Sequence, residues 1–272
     1  MTGGERPPHA VLVRSPEKFS AAAVAGVLAR RAKAPALDFA GPARRAWGVA
    51  AEALPAGEAE ALAADLSAAG QEALAVPSSL IEAPAEPVLV SKAELSADGF
   101  DVTAGRANAA PERLSWARLV AICAGGVEER SSKTVTESSP VEMGEQAVRL
   151  GLTMATGIPL MKSAVKKQRV VETRDRALAL DLLFLEPSRR VRVDARAFDF
   201  SLLGDKMTYG AETNFLALVE ELVSRAPRAL RGKGTRALLA RRPAGDSLYE
   251  GFDDLAREER WLLTLAALRA AL

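Results

Sequence analysis

The sequence predicts an α+β protein in which a small α/β sandwich is followed by an antiparallel, barrel-like β domain. Helical and strand periodicity alternate up to residue 76, whereas short strand patterns dominate from there to residue 200. Hydrophobic residues make up 49% of the 272 residues, which is enough to form a packed core. We expect the barrel-like domain to carry a helical insertion and to end in a closing C-terminal helix.

The first part of the chain alternates strand and helix signals. Residues 10–14 form a short apolar run that predicts a strand, and Ser15 with Pro16 indicates the start of a helix. A clear helical pattern covers residues 57–69, and residues 73–76 predict the next strand. One or two short elements between the two helices complete the predicted sandwich.

The second part begins after residues 77–87, which contain three prolines and two serines and predict a linker. Two strands are then predicted, at residues 88–95 and 99–104. The Asp98-Gly99 pair between them is typical of a β-hairpin.

Three further segments predict strands of the β domain. Residues 114–124 predict either a pair of buried strands or one long bent strand, and residues 177–184 and 190–200 predict strands. Apolar and charged residues alternate in the last of these. The charged positions are Arg190, Arg192, Asp194 and Arg196. Such alternation is typical of a half-buried antiparallel strand with one apolar face and one charged face.

Residues 128–176 form the predicted insertion. Its first part, residues 128–140, is polar and predicts a flexible segment. Residues 141–168 predict a helix that is interrupted near Gly157 and Pro159. This segment is either an amphipathic element for a membrane or a partner, or a helical hairpin that packs on the barrel.

The end of the chain predicts two helices. One begins at Thr213-Asn214 and ends before Pro227, and the last begins near Phe252. Three segments follow from these observations: an α+β module at residues 1–84, the β domain at residues 85–230 with the insertion 128–176, and a basic segment with the C-terminal helix at residues 231–272.

The first module resembles the C-terminal domain of the ribosomal stalk protein. The resemblance is carried by residues 54–76 (LPAGEAEALAADLSAAGQEALAV) and by the preceding strand and helix. It implies a β-α-α-β-α-β plan, shared with Clp-protease adaptors, whose members bind proteins or peptides. Residues 36–48 depart from the lysine-rich factor-binding stretch of the stalk family, so only the fold is carried over.

The second part resembles bacterial pleckstrin-homology-like barrels. Trp116, Leu119 and Ile122 match the spacing of a tryptophan-containing strand in that family. Residues 177–185 and 189–200 supply further strands, and the helix at residues 213–223 would close the barrel. The long insertion is a departure from the family pattern.

Composition limits the chemistry. Lysine and arginine total 36 and aspartate and glutamate 35, so the formal net charge is +1 and we expect no nucleic-acid partner. The single histidine, His9, and the single cysteine, Cys123, exclude a disulfide within the chain and most zinc or nucleophile–histidine sites. We expect His9 at the surface or at a strand start and Cys123 in the core. We predict no catalytic, metal or cofactor-binding residues and no cofactor.

Two other motifs are predicted to be structural. Residues 232–235 (GKGT) have a faint likeness to a nucleotide-binding loop, but they lack the upstream glycine and a preceding strand, which predicts an ordinary loop. Paired acids such as Glu258-Glu259 predict solvated helix faces, because adjacent residues on a helix point in different directions.

Two basic stretches are candidates for contact with an anionic partner: phospholipid head groups, nucleic acid or an acidic protein surface. One lies at residues 162–169, and the other, residues 225–242, contains no acid. The candidate contact residues are Lys162, Lys166, Lys167, Arg231, Lys233 and Arg236. The alternative is a solvated surface balanced by acids elsewhere.

The function predicted from these features is that of a non-enzymatic binding or adaptor protein that contacts another protein. One alternative is a peripheral membrane or anionic-ligand-binding protein that uses the basic stretches. A second is a carboxylate- or metal-dependent hydrolase, in which Asp181 or Asp194 would converge with Asp199. The N-terminal residues lack a signal-peptide pattern and no run of about 18 apolar residues occurs, so we expect a cytoplasmic protein.

Overall fold

Residues 7–104, 110–138 and 166–271 are described by the structure, a computed structural model. The chain divides into two units: Met1–Glu128 with Arg176–Leu272, and Glu129–Asp175. The second unit nearly coincides with the segment predicted as an insertion. The boundary near residue 84 is not tested by this division and stays a prediction.

The N-terminal segment forms a three-stranded antiparallel sheet with helices on one face. The order of the strands is β2-β1-β3. The strands are β1 (His9–Val13), β2 (Val49–Leu54) and β3 (Ala73–Pro77), and the helices are α1 (Ala21–Ala32), α2 (Ala36–Ala46) and α3 (Ala56–Ala68). This element order agrees with the β-α-α-β-α-β plan predicted for the module.

The first helix begins later than the sequence predicted. Pro16–Lys18 form a short 3-10 turn, and Ser20 is the N-cap of α1, accepting a hydrogen bond from the backbone N–H of Ala23 at 3.3 Å. The helix buries Val24 and Val27 against the small sheet because they recur at helical spacing.

The remaining strands form one mixed sheet, which has eight strands within the described residues. They are β4 (Pro87–Leu95), β5 (Gly99–Ala104), β6 (Glu112–Ser115), β7 (Leu119–Ser138), β8 (Lys166–Phe184), β9 (Arg189–Asp194), β10 (Leu230–Arg231) and β11 (Leu248–Tyr249). Their order is β10-β7-β8-β9-β4-β5-β6, and β11 also pairs with β7.

The α+β class is confirmed, but the antiparallel barrel was wrong. β4 pairs with β9 in parallel, and β10 and β11 both lie parallel to β7. Over the described residues the sheet follows an open path, and no closed barrel is found. The order of short strands along the sequence could not show this, because the parallel pairs join strands far apart in the chain.

Three α-helices are described after β9: α4 (Ala211–Arg225) before β10, α5 (Lys233–Leu239) between β10 and β11, and α6 (Phe252–Ala270) after β11. The predicted start of the last helix at Phe252 is confirmed, whereas α4 begins two residues before the predicted Thr213. No helix among the described residues is long and apolar enough to cross a membrane.

Helix α6 lies between the two sheets. Its Trp261 and Leu262 pack in one cluster with Leu12 of the small sheet and with Ala121 and Leu183 of the large sheet. Helix α4 covers the opposite face of the large sheet with its apolar stripe. The layers therefore run from α1–α3 through the small sheet, α6 and the large sheet to α4.

Several local predictions are corrected. Residues 114–124 divide into β6, a 3-10 turn at Trp116–Arg118 and the start of β7. The segment predicted to be flexible from residue 128 belongs to β7, which extends to Ser138. The helix predicted at residues 141–168 lies outside the described residues up to residue 165, and Lys166 begins β8. The predicted strand at residues 190–200 ends at Asp194.

The predicted linker contacts the core. Ser78–Leu80 form a 3-10 turn, and Ile81 packs against the cluster around α6. The backbone N–H of Glu82 donates to Oγ1 of Thr264 on α6 at 3.0 Å.

Candidate functional site

The charged face of β9 is buried. Arg190 and Arg192 are 6% and 8% exposed, whereas alternation in the sequence predicted a half-buried strand with a charged face. Helix α6 lies over this face and brings Glu259, which is fully buried, to Arg190. The prediction was wrong because the covering helix comes from a distant part of the sequence.

Asp181 on β8 is the centre of this ionic cluster. Its Oδ1 accepts from Nε of Arg192 at 2.7 Å, and its Oδ2 accepts from Nε of Arg190 at 2.9 Å and from Nη2 of Arg192 at 2.5 Å. Burial acts to raise the pKa of Asp181, but the hydrogen bonds and the two positive charges outweigh it and lower that pKa.

Glu259 lies in the same cluster but has fewer hydrogen-bond donors around it than Asp181. Its Oε2 lies 2.8 Å from Nη2 of Arg190, which is also 2.8 Å from Oδ2 of Asp181. Burial, and then the charge of Asp181, raise the pKa of Glu259 well above its usual range. The prediction of a solvated face for this acid is therefore wrong.

Glu258 is buried too, but it points to a different group of donors. Its Oε1 accepts from the backbone N–H of Lys233 at 2.5 Å, and its Oε2 accepts from the hydroxyl of Tyr249 at 2.6 Å. Burial raises the pKa of Glu258 and raises that of Tyr249 well above its usual range. This acid ties α6 to the start of α5 and to β11, which corrects the predicted solvated face.

Residues 232–235 form a strand-to-helix junction rather than the predicted loop without a preceding strand. β10 precedes them, and α5 begins at Lys233. The N–H of Gly234 donates to the Tyr249 hydroxyl at 3.1 Å, and Oγ1 of Thr235 donates to the carbonyl of Ile122 at 2.8 Å. The N–H groups of Lys233 and Gly234 and the hydroxyl of Thr235 are therefore bonded to groups of the fold itself.

The two residues predicted to be structural lie as expected. Cys123 is fully buried between α6 and the large sheet, where burial raises the pKa of its thiol well above the usual range. His9 opens β1, and its Nδ1 lies 3.0 Å from the carbonyl oxygen of Pro7.

The acids of the predicted hydrolase site each have a separate partner. Asp181 pairs with the β9 arginines, Asp194 pairs with Arg196 at 2.8 Å, and Asp199 caps a 3-10 helix by accepting from the N–H of Ser201 at 2.9 Å. Within residues 7–104, 110–138 and 166–271, no group of three metal-ligating side chains occurs.

The predicted basic contacts are only partly described. Lys162 lies outside the described residues, and Lys166 and Lys167 are the first two residues of β8. Arg236 donates to the carbonyls of Arg231 and Pro16, so its guanidinium serves the fold. Lys233 is exposed, and its ammonium lies 5.9 Å from the ring of Trp47.

A pocket of about 370 Å³ lies between the ends of α1 and α3, and sequence reasoning missed it. Arg30 and Arg31 line it together with Asp65, and Nη1 of Arg31 lies 2.6 Å from Oδ2 of Asp65. Positive charges at the C-terminal end of a helix interact favourably with its dipole, so these two arginines also have a structural role.

An exposed loop before α4 presents two large apolar side chains. We call residues 204–210 the display loop. Met207 is 52% exposed. Tyr209 lies two positions later and is fully exposed, at 112% of the reference area for a tyrosine. Gly204 has a φ of +53°, a left-handed value that favours glycine, and it kinks the chain within the 3-10 segment Phe200–Lys206.

The display loop is held in place by Asn214, which is 6% exposed on α4. Its Oδ1 accepts from the N–H of Thr208 at 2.7 Å and from the Thr208 hydroxyl at 3.0 Å, and its Nδ2 donates to the Thr208 carbonyl at 2.8 Å. Three bonds to one residue satisfy the polar groups of the loop locally and leave Tyr209 in solvent. A fixed loop with an exposed aromatic ring is suited to binding, because little entropy is lost on docking.

The charges beside the display loop are mainly acidic. Asp205 and Glu212 are exposed, and neither has an ion-pair partner among the residues that the structure describes. Lys206 is neutralised by Glu221, with Nζ 2.9 Å from Oε2. The sequence does contain a segment typical of this site, MTYG at residues 207–210, directly before a helix. It did not predict a site, because the sequence alone does not show that these side chains are exposed.

No family model, curated protein or solved structure matched the chain in the three comparisons made. The resemblances to the stalk domain and to pleckstrin-homology-like barrels therefore stay predictions.

Proposed function

We propose that this chain is a binding protein that docks on a partner protein through the display loop. The observation that carries the proposal is the full exposure of Tyr209 on a loop held by Asn214. Tyrosine and methionine are enriched in protein interfaces, and tyrosines often contribute most of the binding energy. This supports the adaptor function predicted from the sequence.

The charge around the loop indicates the chemistry of the partner. Asp205 and Glu212 flank the apolar side chains, so a complementary surface has an apolar pocket with a basic rim. Acidic rim residues mainly raise the association rate by steering. We therefore expect Asp205→Lys together with Glu212→Lys to slow association and to reverse its dependence on salt.

The experiment is site-specific photo-crosslinking in the native host. A photoreactive phenylalanine analogue replaces Tyr209 in one variant and Leu37 in a matched control. Leu37 is 84% exposed on α2, so it offers a comparable apolar side chain far along the sequence. We expect a discrete partner to be captured at position 209 and not at position 37.

The purified partner then allows an affinity measurement. Tyr209→Ala should weaken its binding at least tenfold, or about 1.4 kcal/mol, whereas Leu37→Ala should leave it unchanged. Equal capture at both positions, or equal affinity of the two alanine variants, would overturn the proposal.

The anionic-surface alternative makes a different prediction. Of the predicted contacts near α5, Lys233 is exposed, whereas Arg236 is bonded to backbone carbonyls. Flotation with vesicles that contain anionic phospholipid, abolished by Lys233→Glu and unaffected by Tyr209→Ala, would favour that alternative over the display loop.

A further inference from the structure

Two buried carboxylic acids and two buried guanidiniums share the space between α6, β8 and β9. They are Asp181, Glu259, Arg190 and Arg192. The buried acid beside them, Glu258, instead faces Tyr249 and the positive charges of Lys233 and Arg236. Asp181 contacts both guanidiniums, so Glu259 has no cation to itself, and a buried carboxylate without its own partner is unfavourable.

Hydrogen bonding distinguishes the three carboxyl groups. Asp181 accepts three bonds from the two arginines, and Glu258 accepts one from Tyr249 and one from a backbone N–H. Neither oxygen of Glu259 accepts a well-formed hydrogen bond, although both are buried. An ionised carboxylate in that position would have one cationic neighbour, Nη2 of Arg190 at 2.8 Å, which Asp181 also contacts.

We propose that Glu259 keeps its proton at neutral pH, and that this proton holds α6 on the large sheet as a pH-sensitive latch. Arg190 is shared between Asp181 and Glu259, so a second negative charge would compete with Asp181 for the same Nη2 atom. Release of the proton would weaken the contact between α6, β8 and β9. This inference is independent of the display loop.

The surroundings of Glu259 support a protonated state. Burial and the Asp181 charge raise its pKa, and the arginines lower it by a smaller amount. The charged or titratable groups that face Glu259 are Cys123 on β7, Asp181 on β8, and Arg190 and Arg192 on β9. The groups next to these are Asp194, which acts on Arg192, and Glu258 on α6, which faces Tyr249 on β11 and Lys233 and Arg236 on α5.

The sign of the pH effect follows from linkage. When α6 is released, Glu259 returns to an ordinary carboxyl pKa and loses its proton, so opening releases one proton at neutral pH. The opening equilibrium therefore increases up to tenfold for each pH unit, until the pKa of the closed state is passed. Asp181 acts in the opposite direction, but only at acidic pH, because its pKa is lowered.

Cys123 provides a reporter for opening. It is the single cysteine of the chain, and it is fully buried in the cluster formed with α6. A maleimide can modify it only when α6 moves away or the chain unfolds. At each pH, the modification rate of the folded chain is divided by the rate of the urea-unfolded chain. This ratio removes the effect of thiol ionisation on the rate.

The experiment compares wild type, Glu259→Gln and the control Glu60→Gln between pH 6 and 9. Glu60 is exposed on α3, so its change should leave the profile unaltered. We expect the normalised modification rate of wild type and of the control to rise steeply with pH. The normalised rate of Glu259→Gln should not change with pH, because glutamine has the shape of a protonated glutamate and does not ionise. Parallel profiles for wild type and Glu259→Gln would overturn the proposal.

A second measurement uses the wild-type chain alone, in case the glutamine variant does not fold. Carbon-13 NMR of glutamate labelled at the side-chain carboxyl group reports each protonation state. We expect the carboxyl signal assigned to Glu259 to be that of a protonated group at pH 7 and to titrate together with the amide signals of α6. If Glu259 is ionised at pH 7, the proposal is wrong.

Discussion

Trp261 in α6 donates its indole N–H to the backbone carbonyl of Val13 in β1 at 2.7 Å, across 248 positions of sequence. Trp261 is fully buried and Val13 is 1% exposed. The bond therefore joins the last helix to the first strand in the interior, where an unpaired carbonyl would be costly.

Replacing Trp261 by phenylalanine should lower the free energy of unfolding by about 2–4 kcal/mol. The change removes the donor to Val13 and leaves a cavity beside it. Urea unfolding measures the loss. Trp47→Phe is the control: Trp47 donates to Asp254 at 3.0 Å in a partly buried position, so it should have the smaller effect. A loss below about 1 kcal/mol for Trp261→Phe would contradict the structural role of the bond.

Gly48→Ala should destabilise the chain by about 3 kcal/mol. A Cβ atom at position 48 would lie 1.8 Å from the Trp261 ring, so the ring or the strand has to move. Gly57→Ala in α3 is the matched control, because nothing lies within 4 Å of its Cβ position. That variant should be neutral or gain about 0.5 kcal/mol from helix propensity. Thermal unfolding of both variants checks the contrast, and similar melting temperatures would refute it.

Asn214→Ala should release the display loop. The three bonds to Thr208 are lost, so we expect faster hydrogen exchange at Thr208 and a stability loss of about 1–3 kcal/mol. Asn214→Asp keeps the acceptor for the Thr208 N–H and should retain part of the protection. Unchanged exchange in the alanine variant would show that the loop is held by something else.

Asp181→Asn should destabilise the chain by about 3–5 kcal/mol, because Arg192 would stay buried without its anion and Arg190 would keep only Glu259 as an acidic partner. The pKa of Asp181 is lowered in the folded state, so its contribution is present above the ordinary aspartate pKa and is lost as pH falls through the folded value.

The acid limb of a plot of unfolding free energy against pH should therefore be steeper in wild type than in Asp181→Asn. Glu52→Gln is the control. Its pair with Arg260, at 2.6 Å, joins side chains that are 41% and 34% exposed, and it should contribute less than about 1 kcal/mol. Equal losses for the Asp181 and Glu52 variants would contradict the difference in burial.

The elements that sequence reasoning located correctly are those with a local signal. The helix at Phe252 and the hairpin across Asp98-Gly99 follow from periodicity and turn chemistry within a few residues. The start of α1 was harder to predict, because both Ser15 and Ser20 are suitable N-cap residues, and the helix begins after Ser20.

The candidate sites were harder to predict because exposure depends on distant residues. Alternation along β9 identified which side chains share a face but not what covers that face, and α6 arrives from more than fifty positions later. The exposure of Tyr209 was missed for the same reason, because an aromatic residue before a helix is more often buried than exposed.

The sequence by itself determined the α+β class, the strands β1 and β3 and the helices α1 and α3 of the N-terminal module, and the apolar stripes of α4 and α6. Only the tertiary structure decided that α6 lies between two sheets, that Asp181 and Glu259 share Arg190, and that Tyr209 is left in solvent. The reason is physical: periodicity records which side chains point the same way, whereas burial and ionisation depend on groups that only folding brings together.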